Sequence, residues 1–250
     1  MKIAVLSDIH GNLAALDAVL KHIEEAGADV IVNLGDIVSG ALEASETADR
    51  LMALNLPTIK GNHERQVLML APARMGPSDK RAHDTLRADQ RAWLAALPAT
   101  LRLHDDVLLV HGTPDSDLHY FLETVTESGC RAATRAQVTE RASNAAAALI
   151  LCGHTHPRMM KLDDGRLIVN PGSVGLQAYE DAHSFAHRME TGSPHARYAI
   201  VECVNGAWNA QFDAVNYDWN AAARRAERNG RADWVVPLLT GYVTCAQQNA

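Results

Sequence analysis

Apolar residues in this chain gather in short runs that alternate with stretches of helical spacing. Residues 2–6 (Lys-Ile-Ala-Val-Leu) are the first run, with the profile of a buried strand. Gly11 and Asn12 then give way to Leu13, Leu16, Val19, Leu20 and Ile23 at helical spacing, and Gly27 supplies a stop. A second strand is predicted at 29–34, a helix at 44–54, and a third strand from Pro57 to Gly61. Strand-helix-strand-helix-strand is the pattern of parallel crossovers.

The pattern then loosens. Residues 71–86 contain Pro72, Gly76 and Pro77 and read as a loop leading to a helix that ends near Leu97. Residues 100–104 and 107–111 suit a hairpin turning at Asp105-Asp106, and 113–130 are irregular. A helix is expected near 132–142 and a strand at 148–152. Asp163-Asp164-Gly165 marks a turn between strands at 158–162 and 166–169, and Asn205-Gly206 one between 197–203 and 208–215. Residues 176–195 have no periodicity, and the tail 218–242 reads as one or two helices with Arg-rich exposed faces.

Several apolar runs end in residues of one chemical type. They are Asp8 and His10 in "VLSDIHGN", Asp36 in "IVNLGDIV", Asn62 and His63 in "TIKGNHE", His111 in "LLVHGTP", and His154 and His156 in "LILCGHTHP". "NPGSVG" (Asn170 to Gly175) follows. Two carboxylates, five imidazoles and one amide thus stand at expected strand tips, where open α/β sheets bind ligands. Mixed oxygen and nitrogen donors suit divalent metals of hard to borderline character. The spacing of Asp8 and His10 sends both side chains of an extended pair to one side, and His154 and His156 repeat it. Taken singly, each residue has a plain structural explanation. Asp8 could cap a helix, Asp36 and Asn62 could serve turns after glycine, and the histidines could bond to backbone. Their joint order favours a site.

Bulk composition narrows the function classes. The chain has 250 residues, 47% of them hydrophobic, enough for a sizeable core. The metal-type residues spread from Asp8 to His156 without an obvious break, so one domain over 1–250 is expected. A formal charge of −7 argues against clamping long nucleic acids, an affinity that Lys and Arg supply. Cys130, Cys152, Cys203 and Cys245 are scattered and suit a reducing cytoplasm. The amino terminus enters a strand directly, without a small-residue cleavage site, and no apolar run approaches the roughly 20 residues of a membrane helix. Association into homo-oligomers is left open.

In this order, "SDIHGN", "GDIV", "GNHE", "VHGTP", "GHTH" and "NPGSVG" resemble the motifs of the calcineurin-like metallophosphoesterases, most of all their small bacterial and archaeal phosphodiesterase branch. The resemblance covers roughly residues 3–175. It implies an α/β fold, a four-layer α/β/β/α sandwich with two mixed β-sheets flanked by helices. It implies two divalent metal ions, manganese first, with iron, nickel, cobalt and zinc as alternatives. Asp8, His10, Asp36 and His156 would hold one, and Asp36 (bridging), Asn62, His111 and His154 the other. The implied activity is hydrolysis of small phosphodiesters or phosphomonoesters by a metal-bridging hydroxide. His63 is then the catalytic proton donor to the departing oxygen, with a carboxylate partner that the sequence does not name. Relatives that act on phosphoproteins carry an Arg shortly after "GD"; "GDIVSG" has none, which disfavours that activity. A nucleotide or dinucleoside polyphosphate hydrolase is the alternative within the enzyme class, and a non-catalytic interaction scaffold the alternative outside it.

Remaining residues carry weaker expectations. His119, His183, His187 and His195 lie in segments that could border the cleft, whereas His22 and His104 read as surface groups. Tyr120 and Phe121 suit either a lid or packing at a sheet edge. Arg224, Arg225, Arg228 and Arg231 read as a solvated helix face, and "NPGSVG" as a rim element shaped by Pro171, Gly172 and Gly175.

Overall fold

The first apolar run is buried on both sides because both sides are covered. Ile3 and Val5 point into a core between two sheets, and Ala4 and Leu6 into a core beneath helices. The computed structural model describes residues 1–142, 145–155 and 157–244. Its elements begin with β1 (Lys2–Leu6), α1 (Leu13–Ala26), β2 (Val30–Asn33), α2 (Ala44–Leu54), α3 (Asn62–Met69), α4 (Pro77–Thr85) and α5 (Ala88–Ala96). They continue with β3 (Leu101–His104), β4 (Val107–Leu109), β5 (Glu123–Thr126), β6 (Gly129–Ala132), α6 (Arg135–Arg141), β7 (Leu149–Leu151), β8 (Arg158–Lys161) and β9 (Leu167–Asn170). The last are β10 (Ala178–Asp181), β11 (His187–Glu190), β12 (Ala196–Val204), β13 (Ala207–Val215), α7 (Trp219–Arg228) and α8 (Val235–Thr240).

Two mixed sheets face each other. One has the order β13-β12-β1-β2, with β1 and β2 parallel. The other has the order β3-β4-β7-β9-β8, with β4, β7 and β9 parallel. Ile3, Val5 and Val32 of the first sheet pack against Leu109, Leu149, Leu151 and Val169 of the second. Each such side chain contributes about 1.5–3 kcal/mol of burial, so the two sheets are held at a fixed spacing. Outside the first sheet lie α1 to α5. Asn12 caps α1 by accepting from Ala15 N (3.1 Å), and Gly27 ends it with a φ of 66°. The outer layer on the second sheet is thinner, consisting of α6 and the residues around Phe121 and Leu122. This is the expected four-layer α/β sandwich. Among the described residues, no helix is long and apolar enough to cross a membrane.

Four local expectations change. The strand from Pro57 to Gly61 shrinks to a single parallel bridge between Asn33 and Thr58, because the chain turns at once into α3. The loop at 71–86 contains α4, whose first helical position is Pro77, where a missing N–H costs nothing. Its few apolar residues hid it from a periodicity search. The irregular stretch 113–130 holds most of the β5–β6 hairpin, and the unassigned 176–195 holds the β10–β11 hairpin. The predicted pair at 197–203 and 208–215 forms β12 and β13, which continue the first sheet beside β1.

Candidate metal centre

Parallel pairing brings the carboxyl ends of β1 and β2 to one edge and those of β4, β7 and β9 to another. Face-to-face packing then joins the two edges. The loops beyond them are tightly tied: Asp8 N donates to Gly35 O (3.0 Å) and His10 N to Asp36 O (3.0 Å). Four of the seven non-glycine residues with positive φ among the described residues are Asp8, His10, Asp36 and His154, at 55°, 51°, 54° and 69°. Such backbone costs on the order of 1–3 kcal/mol per residue and persists where the surroundings impose it, commonly at functional sites.

The donor atoms fall into two groups, Asp8, His10 and Asp36, and Asp36, His111 and His154. Within each group the atoms lie within 4.8 Å of one another, and Asp36 belongs to both. His111 Nδ1 donates to Leu34 O (2.7 Å), which aims Nε2 between Asp36 Oδ2 (3.2 Å) and Asn62 Oδ1 (3.1 Å). His10 Nδ1 likewise donates to Ser39 O (2.7 Å). Backbone anchoring of one ring nitrogen is how metal-ligating histidines are oriented. Burial opposes the charged form of His111, yet Asp36 and Asp8 hold its pKa up at about 10. Asp36 Oδ2, Asn62 Oδ1 and His111 Nε2 thus converge on a place where a cation fits. Burial, with His111 beside it, pushes His154 down to about 3, leaving a neutral imidazole able to donate a lone pair. The residues therefore fit divalent metals. His156, the remaining expected ligand, lies outside the described residues, as does Cys245.

His63 stands beside this set, its ring centroid 5.6 Å from that of His10. Its carboxylate partner is Asp79, whose Oδ1 is 2.7 Å from His63 Nδ1 and also accepts from Ser39 Oγ (2.6 Å). Burial lowers the His63 pKa, but Asp36 and Asp79 outweigh it and hold the imidazole at about 9. Asp79 was invisible in the sequence because it lies in α4, inside the supposed loop. Glu64 has a separate task. Its carboxylate accepts from the backbone N–H groups of Asp36 (2.8 Å), Ile37 (2.8 Å) and Gly61 (2.9 Å), clamping the Asp36 turn onto α3. Gly61 itself leaves no room for a side chain: a Cβ there would meet Asp36 Oδ1 at 2.2 Å. Gly61→Ala is expected to cost about 1–3 kcal/mol in chemical denaturation and to weaken metal retention. A change below about 0.5 kcal/mol with full metal content would contradict this packing.

"NPGSVG" buttresses the site from behind. Asn170 Nδ2 donates to Gly153 O (2.7 Å) and Thr155 Oγ1 (2.8 Å), and Ser173 Oγ donates to Asp8 O (2.8 Å). A cleft of about 780 Å³ opens over the donors, walled by Leu176, Tyr179, His183 and the carboxy-terminal residues Arg231, Trp234 and Pro237. Arg231 thus departs from the expected solvated helix face. It is bonded to Asp233 (2.7 Å) and Ser78 Oγ (2.9 Å), and its guanidinium lies 5.5 Å from the Trp234 ring centroid. Arg224 and Arg228 are exposed on α7 as expected. Tyr120 and Phe121 are both buried and form no lid; Phe121 enters the core below the second sheet, and Tyr120 packs on His154. His183 borders the cleft, whereas His195 sits with Ser193 and Trp219 instead.

The same fold is found in known proteins. An uncharacterized protein of Methanocaldococcus jannaschii, MJ0912, is 24% identical over 258 residues, covering 95% of this chain and 96% of its own length. The crystal structure of a metallophosphoesterase from Sphaerobacter thermophilus superposes with a TM-score of 0.73 at 24% identity, over 95% of this chain and 98% of that one. The calcineurin-like phosphoesterase superfamily domain matches residues 1–192, the span that carries every island of metal-type residues, and the chain belongs to that superfamily.

Proposed function

We propose that the protein is a two-metal phosphoesterase acting on a small phosphorylated molecule. The observation that carries this is Asp36, whose carboxylate belongs to both donor groups. Asp8, His10, Asp36 and His156 would hold one cation, and Asp36, Asn62, His111 and His154 the other. When bound, the pair supplies Lewis-acid polarisation of phosphoryl oxygen and a lowered pKa for the attacking water. Asp36 contributes the negative charge that offsets repulsion between two cations. Burial opposes its ionisation, yet His111, His63 and His10 keep its pKa well below the carboxylate range. His63 gives a proton to the departing ester oxygen, and Asp79 holds the ring in place through Nδ1, which leaves Nε2 for the substrate. A purely structural scaffold would have no use for this part-buried His63–Asp79 pair beside the donors.

Protein loaded with Mn²⁺ is expected to bind about two equivalents and to hydrolyse 4-nitrophenyl phosphate. Chelation should abolish turnover, and re-addition should restore it. Full loading without turnover on any phosphoester would favour the scaffold instead. Asp79→Asn is expected to keep the metals and slow hydrolysis of alkyl phosphates roughly 10–100-fold, as for other lost partners of site histidines. Asp79 raises the His63 pKa, so its neutralisation should move the alkaline limb of the rate profile to lower pH. An unmoved limb would remove Asp79 from this role.

A further inference from the structure

Beside the metal cleft lies a second pocket of about 260 Å³, and Leu118, Asp181 and His183 line both. Its inner wall is Tyr120, whose ring centroid is 5.0 Å from that of His154. His187 Nδ1 donates to Phe185 O (2.8 Å), so its Nε2 accepts from Tyr120 Oη (2.8 Å) and holds that wall in place. His63 and Trp234 touch His10, at the other donor group. The two flanks of the centre are therefore different: the His63–Asp79 pair on one, an open pocket on the other.

From this arrangement, and resting on the phosphoesterase function above, we infer that the second pocket receives the retained alcohol of a phosphodiester, a sugar-sized group bearing hydroxyls. Phosphorus in a diester carries two ester oxygens. Water forms the new P–O bond, the bond to one alcohol breaks, and that alcohol leaves with a proton from His63. The other alcohol stays on phosphorus and points elsewhere, toward the His154 and Tyr120 flank. A phosphomonoester has no such arm and leaves this pocket empty.

The chemistry of the lining selects the arm. Arg141 is turned inward, donating to Phe121 O (2.9 Å), Glu123 O (2.7 Å) and Thr124 Oγ1 (2.9 Å). Glu123 is taken by Thr155 Oγ1 (2.7 Å) and Arg158 (3.1 Å). A second phosphate would find the Asp181 carboxylate, and in Arg141, which lines the pocket, a guanidinium already donating to these protein oxygens. Hydroxyls instead find Asp181, His119, His183 and Ser184 as hydrogen-bonding partners. Ser184 is held at a φ of 67°, and unlike the other non-glycine residues with positive φ among those described, it is neither Asp, Asn nor His. Its strained position lies on the pocket's rim.

The test keeps the leaving group constant and varies the retained arm. Mn²⁺-loaded protein is given the 4-nitrophenyl diester of glucose 6-phosphate and methyl 4-nitrophenyl phosphate. The sugar diester is expected to have a kcat/KM about tenfold higher, carried mainly by KM, since a few hydrogen bonds are at stake. Val125→Trp, which fills the pocket, should bring the ratio near unity. His119→Trp narrows the mouth from an exposed position and makes the same test if Val125→Trp does not fold. A wild-type ratio within twofold of unity, or a ratio unchanged in the folded variant, overturns the pocket assignment alone. Absence of turnover on both diesters and on 4-nitrophenyl phosphate overturns the phosphoesterase function, and the pocket assignment with it.

Discussion

Asp36→Asn is expected to strip both metal positions at once. The substitution preserves shape and removes the charge that two cations would share. Metal content should fall from about two equivalents to below one, with affinity lost by roughly 100-fold or more, since even indirect partners of metal ligands cost 10–100-fold. The effect on the apo protein should be far smaller. His111 and His63 lose the carboxylate that does most to raise their pKa values, while Asp8 and Asp79 remain beside them. Metal analysis of the purified variant with a thermal melt in chelator separates the two effects. Normal stoichiometry and rate would sink the bridging role of Asp36.

His63→Ala should produce the opposite profile, with metals retained and turnover lost. A missing general acid costs roughly 10²–10⁴-fold when the departing alkoxide is poor. Nitrophenolate departs without help, so the loss should shrink steeply for aryl substrates. The slope of log kcat/KM against leaving-group pKa is the measurement, and it should steepen in the variant. Equal losses across the series would mean that His63 stabilises charge or positions substrate without moving a proton. Asp79→Asn should then reproduce only part of the His63→Ala loss, because it releases the ring without removing it.

Legibility differed from one part of the site to another. The candidate donors Asp8, His10, Asp36, Asn62, His111 and His154 were readable because each closes a short apolar run or follows a glycine near a strand end. That local grammar is covalent: a parallel strand delivers its next residues to one edge wherever it sits in the sheet. Asp79 was not readable, because its partner lies 16 residues earlier and a mostly polar helix presents it. Glu64 was visible as a neighbour of His63, but its three backbone acceptor bonds depend on how α3 meets the Asp36 turn. Arg231 looked like a solvated cation because its own surroundings are polar and helical. Its partial burial depends on Ser78, 153 residues earlier in the chain, as well as on the neighbouring Trp234.

By itself, then, the sequence carried the superfamily, through the order of the motifs that resemble it, and most of the candidate donor set; the i,i+2 spacing did not act as expected, because Asp8, His10 and His154 take left-handed backbone beyond the strand ends. Only the tertiary structure decided which carboxylate serves His63, where the carboxy-terminal helices close the cleft, and that a second pocket opens behind Tyr120. Each of those depends on contacts between residues far apart in the chain. They are set by the packing of two sheets and the helices around them, and no periodicity of one segment encodes them.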